Sequence, residues 1–156
     1  MLRFIYLFGV ILGMLAACDK MPENGDLDGM WHLQEMTDLT DDASEPQDVR
    51  AKKFYWSFQL NLLQIYSVTD VLYRNELTGE HTYRAYCRFN KTGTNLNVNE
   101  VYVHFDNRDS LLTDPSTPLM HRYGIMGNAD CFNIEQLNSK RMILVSDERR
   151  LVFRKF

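Results

Sequence analysis

Apolar and polar residues alternate with a period of two along most of this chain. Phe54, Trp56, Phe58, Leu60 and Leu62 alternate with Tyr55, Ser57, Gln59 and Asn61, as they do in a strand with one buried face. At Leu62-Leu63 the phase slips, and Leu63 and Ile65 become the apolar set. A one-residue slip turns every later side chain to the other face, so a β-bulge or a corner between two strands is expected there. Upstream, Trp31 and Leu33, with Glu35 continuing the phase, oppose Met30, His32, Gln34 and Met36 in a first strand over 28–37. Downstream, Tyr83, Ala85, Cys87 and Phe89 oppose Thr82, Arg84, Tyr86 and Arg88.

Turn signals punctuate these runs. Leu77-Thr78-Gly79-Glu80, Lys91-Thr92-Gly93, Asn138-Ser139-Lys140 and Ser146-Asp147-Glu148-Arg149 each separate two apolar stretches. Asn95–Asn99 and Val101–Phe105 are expected as two short strands with a phase break between them. A short strand over Tyr123–Met126, one marked by Phe132, Ile134 and Leu137, and the runs Arg141–Val145 and Leu151–Phe156 complete the series. Acidic Asp38–Asp48 is expected as a loop. Asp106–Met120, with Pro115 and Pro118, is the longest connection and a candidate lid. No segment holds a helical period of useful length. About eight short strands with short connections predict an all-β fold, an antiparallel up-and-down β-barrel, in which closure removes exposed strand edges.

The N-terminus follows a different rule. Arg3 precedes an apolar run from Phe4 to Leu15, the length of a secretory h-region and too short to span a bilayer with ease. Leu15-Ala16-Ala17-Cys18 resembles the lipobox of bacterial lipoproteins. That resemblance implies cleavage before Cys18 and acylation of its sulfur. The expected layout is a signal peptide over 1–17, a polar tether over 18–27 and a barrel domain over 28–156. Two or more acyl chains hold a protein stably on a membrane, so the expected location is the cell envelope, lipid-anchored at the outer membrane. Whether it faces the periplasm or the cell surface stays open.

Composition narrows the partners. The formal net charge is −4, and removal of Arg3 makes it −5; with no basic stripe, nucleic acid is not an expected partner. The mature part keeps 16 of the 19 aromatic residues, enough to build a core. His32, His81, His104 and His121 are scattered, with no metal-ligand spacing, and no serine sits in a nucleophile elbow. No metal, cofactor or catalytic activity is expected. Cys87 faces inward by phase and Cys131 outward, so no disulfide between them is expected. Asp109-Ser110-Leu111 resembles an O-glycosylation motif of some Gram-negative bacteria.

The two ends of the body are informative together. Gly29-Met30-Trp31 opens the first strand and Leu151-Val152-Phe153-Arg154 lies in the last. This resembles the lipocalin pattern, in which a Gly-x-Trp begins the barrel and a late arginine covers the indole. Tyr123-Gly124-Ile125 through the final Leu-x-Phe-Arg is also similar to the small lipocalin-like lipoproteins of gut-type Gram-negative bacteria. The resemblance implies a barrel-closing pair of Trp31 and Arg154, with Arg150 as fallback. It also implies a cup able to hold a small apolar ligand, for which Phe54, Trp56, Phe58, Tyr83 and Phe89 are the candidate lining. A barrel filled by its own side chains and used as a scaffold is the competing expectation. A third is an interaction module whose loops at Asp38–Asp48 and Asp106–Met120 bind a protein or glycan partner.

Overall fold

A computed structural model describes residues 23–75, 77–105, 108–112, 121, 124–125 and 129–156. The strands, in chain order, are β1 (Gly29–Asp38), β2 (Gln47–Asp48), β3 (Phe54–Gln59), β4 (Leu62–Ser67), β5 (Tyr73–Arg74), β6 (His81–Thr82), β7 (Arg84–Thr92), β8 (Asn95–Phe105), β9 (Arg108–Leu111), β10 (Ala129–Leu137), β11 (Arg141–Val145) and β12 (Arg149–Lys155). Eight of them form a closed antiparallel ring, β1-β3-β4-β7-β8-β10-β11-β12 and back to β1. The expected barrel is therefore the fold. The first and last strands lie side by side, with Trp31 opposite Lys155 and Leu33 opposite Phe153.

Both phase slips have a physical origin: the first is a corner between two strands, as expected, and the second lies inside one strand. The slip near Leu62 is a tight hairpin: β3 and β4 pair with Gln59 opposite Leu62, and Leu60 takes φ +55° at the turn. Leu60 and Leu62 are exposed rather than inward. The break between Asn99 and Val101 is a bulge within one strand, with Glu100 at φ +51°. Leu96 and Val98 are buried before it, and Val101, Val103 and Phe105 after it. A bulged residue restores the inward phase at the cost of one ladder position. In β1 a register shift between Leu33 and Glu35 leaves Glu35 exposed, against the expected phase.

At β8 the wall divides. Its first half pairs β10, with Leu96 opposite Phe132; its second half pairs β9, with Val103 opposite Ser110. Leu112 donates its backbone N–H to Val101 O at 2.9 Å, so the chain stays on β8 as far as the bulge. Most of the expected lid at Asp106–Met120 lies outside the described residues; of the expected strand at Tyr123–Met126, Gly124 and Ile125 are described and are not in a strand.

Buried side chains from all eight ring strands form one continuous apolar cluster. At one end the cluster is floored by a 3-10 turn, Gly25–Leu27, in which Leu27 is fully buried. Residues 24–27 therefore belong to the body rather than to the tether expected there. Asn24 fixes the entry, donating from its side chain to Asp28 Oδ1 at 2.6 Å and to Leu60 O at 2.8 Å.

Candidate functional site

The floor is built around Trp31. Its indole is fully buried, and its Nε1–H donates to Leu27 O at 2.8 Å. Lys155 lies across the ring, with Nζ 5.0 Å from the ring centroid, and donates to Asp26 O at 2.8 Å. One lysine thus covers the tryptophan and ties the last strand to the floor turn. The expected partner, Arg154, sits opposite His32 and is exposed. The reason is parity. Leu151 and Phe153 face inward, so the side chain returning to the Trp31 side is residue 155 and not 154. The fallback, Arg150, lies 3.4 Å from Glu135 in an ion pair.

Above the floor, four of the five candidate lining residues face inward, and three of them contact one another. Trp56 meets Phe58 at 6.1 Å between centroids, Phe132 at 5.9 Å and Phe153 at 5.0 Å. Phe58 meets Phe89 edge-on at 5.1 Å. These tilted and edge-to-face contacts are the favourable aromatic geometries. Phe54 is buried as well. Tyr83 is not part of this interior: it is 42% exposed, precedes the first residue of β7 and stands edge-on to His81. Phe132 and Phe153 complete the ring system. Their inward phase was readable from the sequence, but their adjacency to Trp56 follows from ring closure and was not.

The outer wall carries the other aromatic concentration. Tyr86 on β7 lies directly opposite Tyr102 on β8. His104 stands edge-on to Tyr86 at 5.7 Å, and its Nδ1 is bonded to Asp109 Oδ1 at 2.7 Å. With Leu62 and Arg88 these residues line a surface groove of about 420 Å³, within the size range of small-molecule sites. A second stack runs His32, Tyr55, Tyr66, with centroids 4.7 and 5.0 Å apart. Partial burial pushes the Tyr66 hydroxyl pKa up, and that hydroxyl contacts Met30 Sδ at 3.1 Å.

Both cysteines outside the N-terminal segment are free: Cys87 is buried and Cys131 exposed, the facings that their phases predict. Burial pushes the Cys87 thiol pKa well up, which makes it unreactive. Among the described residues no group of three or more His, Cys, Asp and Glu side chains converges on a metal-sized site. Ser110 lies in β9 opposite Val103. Cys18, the expected lipidation site, lies outside the described residues.

With this geometry in view, the comparisons with known proteins bear on the whole barrel. The model of a lipocalin-like domain family matches residues 13–156. The chain is similar to a lipocalin-like protein from Bacteroides uniformis whose crystal structure is known, with 19% identity, coverage of 85% of this chain and 100% of that one, and a TM-score of 0.55. It is also similar to the crystal structure of an uncharacterized protein from Bacteroides eggerthii, with 18% identity, 83% and 99% coverage, and a TM-score of 0.50. At these identities the two structures speak to the fold. No curated protein matches.

Proposed function

The chain belongs to the lipocalin-like domain family, and from that premise we propose that it is a non-enzymatic, lipid-anchored scaffold of the cell envelope. Its barrel interior is a packed core, and recognition takes place on the outer wall and rim. The observation that carries this reading is the ring packing around Trp56, which touches Phe58, Phe132 and Phe153 at once. A ligand that displaced one of these rings would give back the burial of a large side chain, roughly 1.5–3 kcal/mol. The half-buried aromatics of the outer wall favour a partner outside. Tyr86, Tyr102 and His104 offer apolar faces with polar tips, the residue type enriched where proteins meet partners. A protein or glycan partner suits that surface. An acylated Cys18 would hold the barrel on the outer membrane, with residues 18–23 as the tether.

A second reading has its own observation. Ser67 and Ala85 are small and buried on the neighbouring strands β4 and β7, toward the end opposite the floor. A small apolar ligand held there is the binding-protein alternative.

Native mass spectrometry of the mature protein from its own host separates the two. The scaffold reading expects the acylated chain with no small molecule attached. A molecule retained at one per chain overturns it in favour of the ligand reading.

A further inference from the structure

We infer that the Trp31 end of the barrel docks directly on the lipid surface, so that the β11–β12 end points away from the membrane. The inference rests on the lipid-anchor reading and adds an orientation to it.

Chain entry is the first argument. The barrel is up-and-down, so the start of β1, the β3–β4, β7–β8 and β10–β11 hairpins and the end of β12 all lie at one end. The N-terminal segment enters at that same end, where Asn24 is bonded to Leu60 O in the β3–β4 hairpin. From Cys18 to Asn24 a fully extended chain spans at most about 20 Å. An acylated Cys18 therefore keeps this end within a short reach of the bilayer.

Charge is the second argument. The floor end carries Lys91, Lys140, Arg141, Arg154 and Lys155 against Glu23, Asp26 and Asp28. The opposite end carries Asp41, Asp42, Glu45, Asp70, Asp147 and Glu148, offset in part by Lys52, Lys53, Arg74 and Arg84, while Arg50, Arg108 and Arg149 there pair with Asp48, Glu80 and Asp38. A net-acidic molecule thus presents its basic end where the tether pulls it. Anionic headgroups attract such clusters over roughly a Debye length. Exposed apolar side chains do not discriminate by themselves, since Leu77 and Val68 protrude at the far end. At the floor, however, Phe156 is 82% and Leu60 59% exposed among the basic residues, the mixture that interfacial segments use.

The test uses the mature lipidated protein in vesicles of phosphatidylethanolamine and phosphatidylglycerol. Nitroxide labels are placed at Ser139→Cys on the floor or Asp147→Cys at the opposite end, each with Cys131→Ser. Intact mass first establishes the acyl chains on Cys18; their absence defeats the anchor reading itself. With the anchor present, we expect the label at 139 to lose access to a water-soluble relaxation agent several-fold, while the label at 147 keeps it. Adding Lys140→Glu and Arg154→Glu should restore access at 139 without releasing the protein. Equal access at both labels, or protection at 147 alone, overturns the docking proposal and leaves the anchor reading standing.

Discussion

Lys155 Nζ lies 5.0 Å from the centroid of the Trp31 ring, and the two residues face each other across the seam between the first and last strands. The same ammonium donates to Asp26 O, and the indole donates to Leu27 O. Seam and floor are therefore fastened by one pair. Trp31→Ala should destabilise the protein by about 3–5 kcal/mol, the range for a fully buried aromatic. Lys155→Ala should cost about 0.5–2 kcal/mol, whereas Arg154→Ala should stay within about 0.5 kcal/mol of wild type. Urea unfolding of the three variants checks the order; a larger loss in Arg154→Ala than in Lys155→Ala would restore the arginine to the role expected for it.

The ring cluster above the floor makes a parallel prediction. Phe132→Ala removes a fully buried ring that touches Trp56 and should cost about 3–5 kcal/mol. The double variant Trp56→Ala, Phe132→Ala should lose less than the sum of the singles, since contacting residues couple by about 0.5–3 kcal/mol. Equilibrium denaturation of the cycle measures the coupling directly.

Two glycines separate backbone strain from crowding. Gly93 has φ +60° with nothing within 4 Å of a built Cβ, whereas Gly124 has φ +84° and a Cβ there would lie 2.5 Å from Leu151 Cδ1. Gly93→Ala should cost about 1–2 kcal/mol, the left-handed penalty alone. Gly124→Ala adds an overpacking cost of about 1–3 kcal/mol. Pairing Gly124→Ala with Leu151→Ala should remove only the crowding part, although the second change brings its own cavity cost. Thermal unfolding of these three variants and of Leu151→Ala alone reads the difference.

Acid should weaken the fold through two carboxylates at the rim. The Arg149 guanidinium and Thr40 hold the Asp38 carboxyl well below the ordinary carboxylate range, and Arg50 lowers Asp48 to about 2. A carboxyl whose folded value is depressed stabilises the fold fully only above its unfolded value of about 3.9. That contribution is lost as pH falls through the folded value. Stability should therefore decline as the pH drops from about 4. Asp38→Asn should flatten the decline more than Asp48→Asn, because the Asp38–Arg149 side chains are 33% and 14% exposed and the Asp48–Arg50 pair 53% and 64%, where solvent screens most of the gain. Urea midpoints across this window give the comparison.

The strand phases were legible because inward and outward positions differ so sharply in polarity. Trp31, Phe54, Trp56, Phe58, Cys87 and Phe89 all keep the facing that their alternation indicates. Illegible features have physical reasons. Leu60 at a hairpin carries no glycine or asparagine in the left-handed position, so the turn reads as continuous strand. Glu100 looks like a break between strands because a bulge and a turn shift phase identically. Lys155 was hidden by the lipocalin expectation of an arginine, yet counting parity from Leu151 and Phe153 finds it. Leu27, the lone apolar residue between Asn24 and Asp28, was the available signal that the floor begins inside the expected tether. The outer pairing of Tyr86 with Tyr102 depends on the β7–β8 hairpin register carried through the Glu100 bulge, which alternation alone does not give.

The central claim, that the barrel interior is the protein's own core, is tested most directly by titrating the folded protein with a hydrophobic naphthylamine fluorophore. Wild type is expected to show no saturable uptake, and Phe58→Ala, which opens space beside Trp56 and Phe89, is expected to gain it. Saturable uptake of one probe per chain by wild type, with quenching of tryptophan fluorescence, would contradict the claim and make the interior a ligand site.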